Sequence, residues 1–241
     1  MKIKNKMLEN GNWLFKYRGQ LPIILFLIAI PIIDNTSYYN QFEECITNII
    51  QYIAIAISII GLILRYFTIS TTPSGTSGRN RNSQIANTLN TTGVYSITRN
   101  PLYFANYIIW LGISLYSLSY ILVIINSLFF LFVYERIILV EEDFLAKKHT
   151  KDYEEFIQKT PVFFPNFKNY KKSTQPFLLK KILRQEYSST LSTIVSFLYI
   201  DLIIRYFNEI VHYTSLFTHI HLIILTISLL AGLTLKIFKI L

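Results

Sequence analysis

Residues 101–134 read PLYFANYIIW LGISLYSLSY ILVIINSLFF LFVY and contain no charged side chain. A single helix of that length would run to about 50 Å, far beyond a hydrocarbon layer of about 30 Å, yet two complete crossings need slightly more. Ser117, Ser119 and Tyr120 interrupt the apolar run near its middle. The stretch therefore predicts a tight helical hairpin whose second arm continues through Glu135 and Arg136 toward Val140. A hairpin of this kind sets the expected fold class: an all-α, polytopic membrane helical bundle.

The flanking blocks extend the pattern. Cys45 to Leu64 is apolar and closed by Arg65, with polar Asn48 and Gln51 near one end, which is a span by length. Leu21 to Ile33 covers only about 20 Å, so it must borrow Trp13, Leu14, Phe15 and Tyr17 while Lys16 and Arg18 snorkel. A cleaved signal peptide competes for this segment, but no small-x-small site follows Pro31, and a retained helix is expected. Leu191 to Ile204 and Leu216 to Leu235 form two further blocks, separated by Asn208, Glu209 and His212. About six transmembrane helices result.

Composition agrees with a lipid environment. The chain is 52% apolar and only 15% charged, against about 25% charged residues in an ordinary soluble domain, which excludes a disordered or nucleic-acid-coating protein. Its net charge is +9, and position decides its meaning. With a cytoplasmic N-terminus, six crossings leave residues 1–20, 65–100, 135–190 and 236–241 inside, with every basic residue except Arg205. The outer connections hold Asp34, Glu43, Glu44 and Glu209. The charge thus reads as a positive-inside bias facing anionic headgroups, with both termini cytoplasmic. Cys45 is the only cysteine, so no intrachain disulfide or cysteine metal cluster can form, and the four scattered histidines show no zinc spacing. No metal site is expected.

Three regions could carry chemistry. In the first, the Ser-, Thr-, Gly- and Asn-rich stretch Thr68 to Gly93 leads into Thr92–Tyr103, TGVYSITRNPLY. Gly93 allows a turn, Pro101 suits the first turn of a helix, and Arg99 is held near free backbone N–H groups that favour an anion. Tyr103, Asn106, Tyr107 and Trp110 then share one helix face. The second region is Glu135-Arg136 with Glu141-Glu142-Asp143, where adjacent carboxylates repel unless cations compensate. From Phe144 to Phe156, charged and apolar residues alternate as in a helix lying along the membrane plane, able to roof a pocket; His149 within it reads as a surface histidine. The third is Asp201 and Arg205, four apart in a span, where a pair offsets the cost that a lone charge would carry. They read as a structural or assembly pair, although they also support the competing class of a non-enzymatic lipid-binding or transport subunit.

Two segments, GVYSITRNPLY (Gly93–Tyr103) and VEEDFLAKKHTKDYEEFIQKTPVFFP (Val140–Pro165), together resemble the integral-membrane methyltransferases that include isoprenylcysteine carboxyl and phospholipid methyltransferases. The likeness covers roughly residues 45–165, and PSGTSGRN (Pro73–Asn80) is similar to a bacterial subgroup. It implies a cytoplasmic pocket for S-adenosyl-L-methionine at the inner membrane. Tyr95, Arg99, Asn100, Pro101 and Tyr103 would lie around that cofactor and Glu141 and Glu142 at its polar end, with Arg99 and Glu142 as the catalytic pair. Asn100 stands where the family usually has histidine, Val162 where many members have arginine, and His149-Thr150 where a Phe-Gly turn is common. The expected reaction is methyl transfer to a lipidic or lipidated, membrane-embedded acceptor. A phosphate or carboxylate oxygen is the first expectation, because Arg79, Arg81 and Arg99 would gather an anion; an amine headgroup is the alternative. The expected organisation is an N-terminal helix and outer loop (1–44), a methyltransferase-like core (45–165) and a basic linker with two added helices (166–241).

Overall fold

In the computed structural model the described residues are 2–38, 41–73, 76, 86–208 and 216–237. They form seven α-helices: α1 (Lys2–Tyr17), α2 (Leu21–Thr36), α3 (Glu44–Ser70), α4 (Pro101–Tyr116), α5 (Tyr120–Lys159), α6 (Leu179–Phe207) and α7 (Leu216–Ile237). Arg79, Arg81, Glu209 and His212, and most of the Ser/Thr-rich stretch before Ala86, lie outside the described residues.

The bundle is all-α, but the expected count of about six transmembrane helices is wrong. Among the described residues only α3, α5 and α6 are long and apolar enough to cross a membrane, with a fourth span if α1 and α2 act as one broken crossing. An apolar block is not the same as a span. α1 and α2 are separate helices meeting at 83°, so the residues before Leu21 do not lengthen the first block in a straight line. α4 ends after 16 residues, about 24 Å of helix, and the described apolar part of α7 is Leu222–Thr234. α5 is two helical stretches joined at His149 and Thr150, whose backbone angles leave the helical range, and the Phe144–Phe156 segment expected to lie along the membrane plane straddles that break. The long apolar helices are consistent with an integral membrane protein.

The chain divides into two compact units. The first comprises Met1–Ile24, Leu64–Phe104 and Leu128–Leu178; the second comprises Leu25–Ile63, Ala105–Ser127 and Leu179–Leu241. In the second, Gly61 lies against Ala105 and Ile109, and Gly112 against Ala54 and Ser58, so closely that a Cβ at either glycine would collide. Small residues thus let the two backbones approach, as membrane helices require when no hydrophobic effect drives their association. Ser58 strengthens the seam by donating to the Ile109 carbonyl at 2.9 Å. The hairpin break falls at Ser117–Ser119, where Leu118 adopts φ 57° and Ser119 Oγ accepts from the Leu122 N–H at 3.2 Å, capping the start of α5. Asp201 and Arg205 are both buried and paired in this unit. Ala29, Ile33, Tyr116, Phe197, Ile200 and Ile204 lie in its apolar core.

In the first unit, Gly11 brings α1 onto the Arg136 carbonyl and Val140 of α5. The apolar part of α5, Tyr120 to Val140, is about 31 Å long, enough for one crossing. Glu141 opens the polar remainder.

Candidate functional site

The site is built from the segment before α4 and a strap that follows α5, both in the first unit. Gly93 has φ 61°, a conformation that disfavours a side chain, and its N–H donates to the Lys171 carbonyl at 2.8 Å. A 3-10 turn, Val94–Ser96, follows; Ser96 Oγ accepts from the Lys171 N–H at 2.8 Å. The chain then docks onto residues 161–163. The Arg99 N–H donates to the Pro161 carbonyl at 2.9 Å, Asn100 Nδ2 to Val162 at 3.0 Å and Thr98 Oγ1 to Phe163 at 2.9 Å. Pro101, fully buried, starts α4. Five backbone and side-chain ties therefore fix the position from which the Arg99 side chain leaves.

That side chain meets α5. Arg99 Nε and Glu142 Oε1 stand 3.2 Å apart, yet their alignment does not make a hydrogen bond. Four buried side-chain atoms among the described residues lack a hydrogen-bond partner, and three of them are Arg99 Nε, Glu142 Oε1 and Tyr153 Oη. Such atoms are costly to bury unsatisfied, so their convergence marks a place suited to a polar ligand. Burial pushes the Glu142 carboxyl above its ordinary range, against the pull of Arg99, Tyr153 and Asn100. Burial and the Glu142 charge likewise raise the Tyr153 phenol. In a straight helix Glu142 and Tyr153 would be about 16 Å apart along the axis; the bend at His149–Thr150 is what brings the phenol back to the carboxylate. His149 Nε2 sits 3.2 Å from the Ala86 carbonyl at that bend.

Glu141 lies on an adjoining face. Burial raises its carboxyl to about 7, opposed by the Tyr103 hydroxyl and the Arg18 charge and reinforced by Glu142. The Tyr103 ring packs 4.9 Å from that of Tyr134, which stacks on Phe130 at 4.0 Å. Burial and Glu141 also raise the Tyr103 phenol well above its usual value.

Of the residues expected at a site, Arg99, Asn100 and Glu142 are gathered together, and Tyr103 and Glu141 form a second cluster. Asn100 already commits one amide donor to the strap. Pro101 has essentially no exposed surface and shapes the helix start, and Tyr95 is half-buried in the 3-10 turn. Sequence reasoning missed Tyr153 and Arg18. In sequence Tyr153 reads only as part of a roofing helix and Arg18 as a snorkelling anchor; the spacing of Tyr153 from Glu142 gives no sign of contact without the bend. No group of three or more His, Cys, Asp or Glu among the described residues is placed to hold a metal ion.

The family described as phospholipid methyltransferase matches residues 49–152, less than half of the chain. The match includes Arg99, Asn100, Glu141 and Glu142 but stops short of Tyr153 and the strap. A cobalt-zinc-cadmium resistance protein, CzcN, of Cupriavidus metallidurans is 35% identical over 85 residues, covering 35% of this chain and 39% of that protein. A nickel-cobalt-cadmium resistance protein, NccN, of Alcaligenes xylosoxydans xylosoxydans is 35% identical over 75 residues, 31% of this chain and 35% of that protein. The chain is thus matched over little more than a third of these curated relatives' length. No solved structure matches. The likeness to the phospholipid methyltransferase family is thus confined to part of the chain, and the two relatives bear the names of metal-resistance proteins.

Proposed function

We propose that this chain transfers a methyl group from S-adenosylmethionine to a lipidic acceptor held in the membrane. The observation that carries the reading is the Arg99–Glu142 ion pair with the Tyr153 hydroxyl beside it, three buried polar atoms of which none has a well-aligned hydrogen bond. A cation, an anion and a neutral hydroxyl fit a zwitterionic ligand. Arg99 would hold its carboxylate, Glu142 its ammonium, with Asn100 and Tyr153 beside them and the Tyr103 and Tyr134 rings suited to a sulfonium. When bound, S-adenosylmethionine supplies an electrophilic methyl group. The protein's task is then to orient the acceptor and keep water away. The functional core lies in 45–165, flanked by 1–44 and 166–241, and the Lys- and Arg-rich segments face the cytoplasm at a bacterial inner membrane.

The acceptor nucleophile follows from the charges. An oxygen anion remains the first reading. A specific observation supports the amine alternative: Glu141, with its carboxyl raised to about 7, can take the proton that an ammonium must lose before attack. If so, turnover rises between pH 6 and 8 with a midpoint near 7, and Glu141→Gln removes that limb. The same shift predicts the opposite trend in stability. Because the folded-state value lies above the ordinary one, the Glu141 contribution is full below about pH 4.5 and is lost as pH rises through about 7; thermal unfolding against pH reads it.

Membranes with and without the intact protein, supplied with a radiolabelled methyl donor and extracted for mass spectrometry, test the whole proposal. A labelled lipid appearing only with the protein supports it and shows whether oxygen or nitrogen was methylated. No saturable S-adenosylmethionine binding by the folded protein counts against it and toward a lipid-binding or transport role.

A further inference from the structure

We infer that the strap from Phe164 to Lys172 is a docking surface for a bilayer bearing anionic headgroups, and that this docking holds the Arg99 segment in position. The sequence from Phe156 to Gln185 contains no Asp or Glu, while Lys168, Lys171 and Lys172 fall inside the strap. Phe164, Phe167 and Tyr170 are 69%, 75% and 61% exposed. Large rings left open singly need no explanation, but three of them interleaved with lysines, outside any α-helix, match the chemistry of a membrane interface: rings at the headgroup–acyl boundary and ammonium groups among phosphates. A chain with helices able to cross a membrane has that surface within reach.

The backbone of the whole strap, counted from Pro161, is committed elsewhere. The Pro161, Val162 and Phe163 carbonyls accept from Arg99, Asn100 and Thr98; the Asn166 N–H donates to Ile97; Lys171 ties to Gly93 and Ser96. Its exposed rings and its lysines thus face outward, although the Phe164 ring also touches Phe104 and Phe163 edge-on, while its backbone grips the segment that positions Arg99. A bilayer contact that immobilises the strap immobilises both. This inference does not depend on the reaction catalysed.

The test uses the full chain with Cys45→Ser and a single cysteine, Phe167→Cys or, separately, Phe164→Cys, carrying a nitrobenzoxadiazole probe. The protein is reconstituted in phosphatidylcholine vesicles with or without phosphatidylglycerol. In anionic vesicles the emission should shift to the blue, iodide quenching should fall several-fold relative to neutral vesicles, and spin-labelled lipids should quench the probe. Each lysine near an anionic surface contributes about fivefold to binding. The combined K168Q, K171Q and K172Q variant should therefore weaken the dependence on phosphatidylglycerol by roughly a hundredfold. A probe fully open to iodide in both vesicles overturns the docking. Equal shielding in neutral and anionic vesicles, unaltered in the triple variant, overturns the headgroup preference. Shielding from iodide without quenching by labelled lipid means that protein covers the strap, a second copy included, and also overturns the proposal.

Discussion

Glu142→Gln is expected to lower S-adenosylmethionine affinity and turnover by roughly 30-fold while the protein still folds and inserts. The substitution keeps the shape of the side chain and removes its charge. Arg99 Nε, 3.2 Å away, is left as a cation with no anionic neighbour at that distance, and the ligand's ammonium loses its counter-charge. Breaking a fully buried pair costs 3–5 kcal/mol, but Glu142 keeps a quarter of its side-chain surface exposed and water screens part of the loss. About 2 kcal/mol, or 30-fold, is the resulting expectation. Isothermal titration of the purified protein and turnover in proteoliposomes measure the two quantities. Unchanged values in a folded variant would remove Glu142 from the site. Tyr153→Phe is the companion: its loss should be several-fold smaller, because it deletes one hydroxyl and no charge.

Much of this site is readable in the sequence. Arg99 precedes a proline that fixes the start of α4, and Glu141-Glu142 follows an apolar run long enough to cross a membrane, so one falls at a helix start and the other where an apolar run gives way to a polar one. Their meeting is a tertiary fact that chain position alone does not give. The bend in α5 is announced only by the resemblance, which puts a Phe-Gly turn where His149 and Thr150 stand, since these two residues are neither glycine nor proline. Without it Tyr153 belongs to another part of the helix. The strap is similarly hidden: Pro161 to Phe163 offers only backbone carbonyls, which every sequence has. The span count fails for a different reason. Hydropathy records where apolar residues lie, whereas crossing also needs an unbroken axis, and the turn at residues 18–20 and the short α4 deny it. The pairing of Asp201 with Arg205, by contrast, follows directly from helical spacing.

That pair supports the second large prediction: Asp201→Asn should destabilise the protein by about 3 kcal/mol, seen as a fall of about 10 °C in the detergent-solubilised unfolding temperature, with broadened elution by size. Asp201 Oδ2 accepts from Arg205 Nε at 2.7 Å and Oδ1 from Nη2 at 3.2 Å, while the Tyr116 hydroxyl donates to Oδ1 at 3.0 Å. All three residues are buried, so an amide at 201 strands the guanidinium charge away from water. Tyr116→Phe removes one neutral donor and should cost only about 1 kcal/mol. Combining Asp201→Leu with Arg205→Met replaces both charges by apolar volume and should recover most of the stability. Normal melting and elution of Asp201→Asn, together with selectively lost turnover, would move this pair from the architecture to the reaction. Recovery in the double apolar variant would instead mean that the pair's strength lies in mutual neutralisation: each charge is tolerated in α6 because the other stands one turn away.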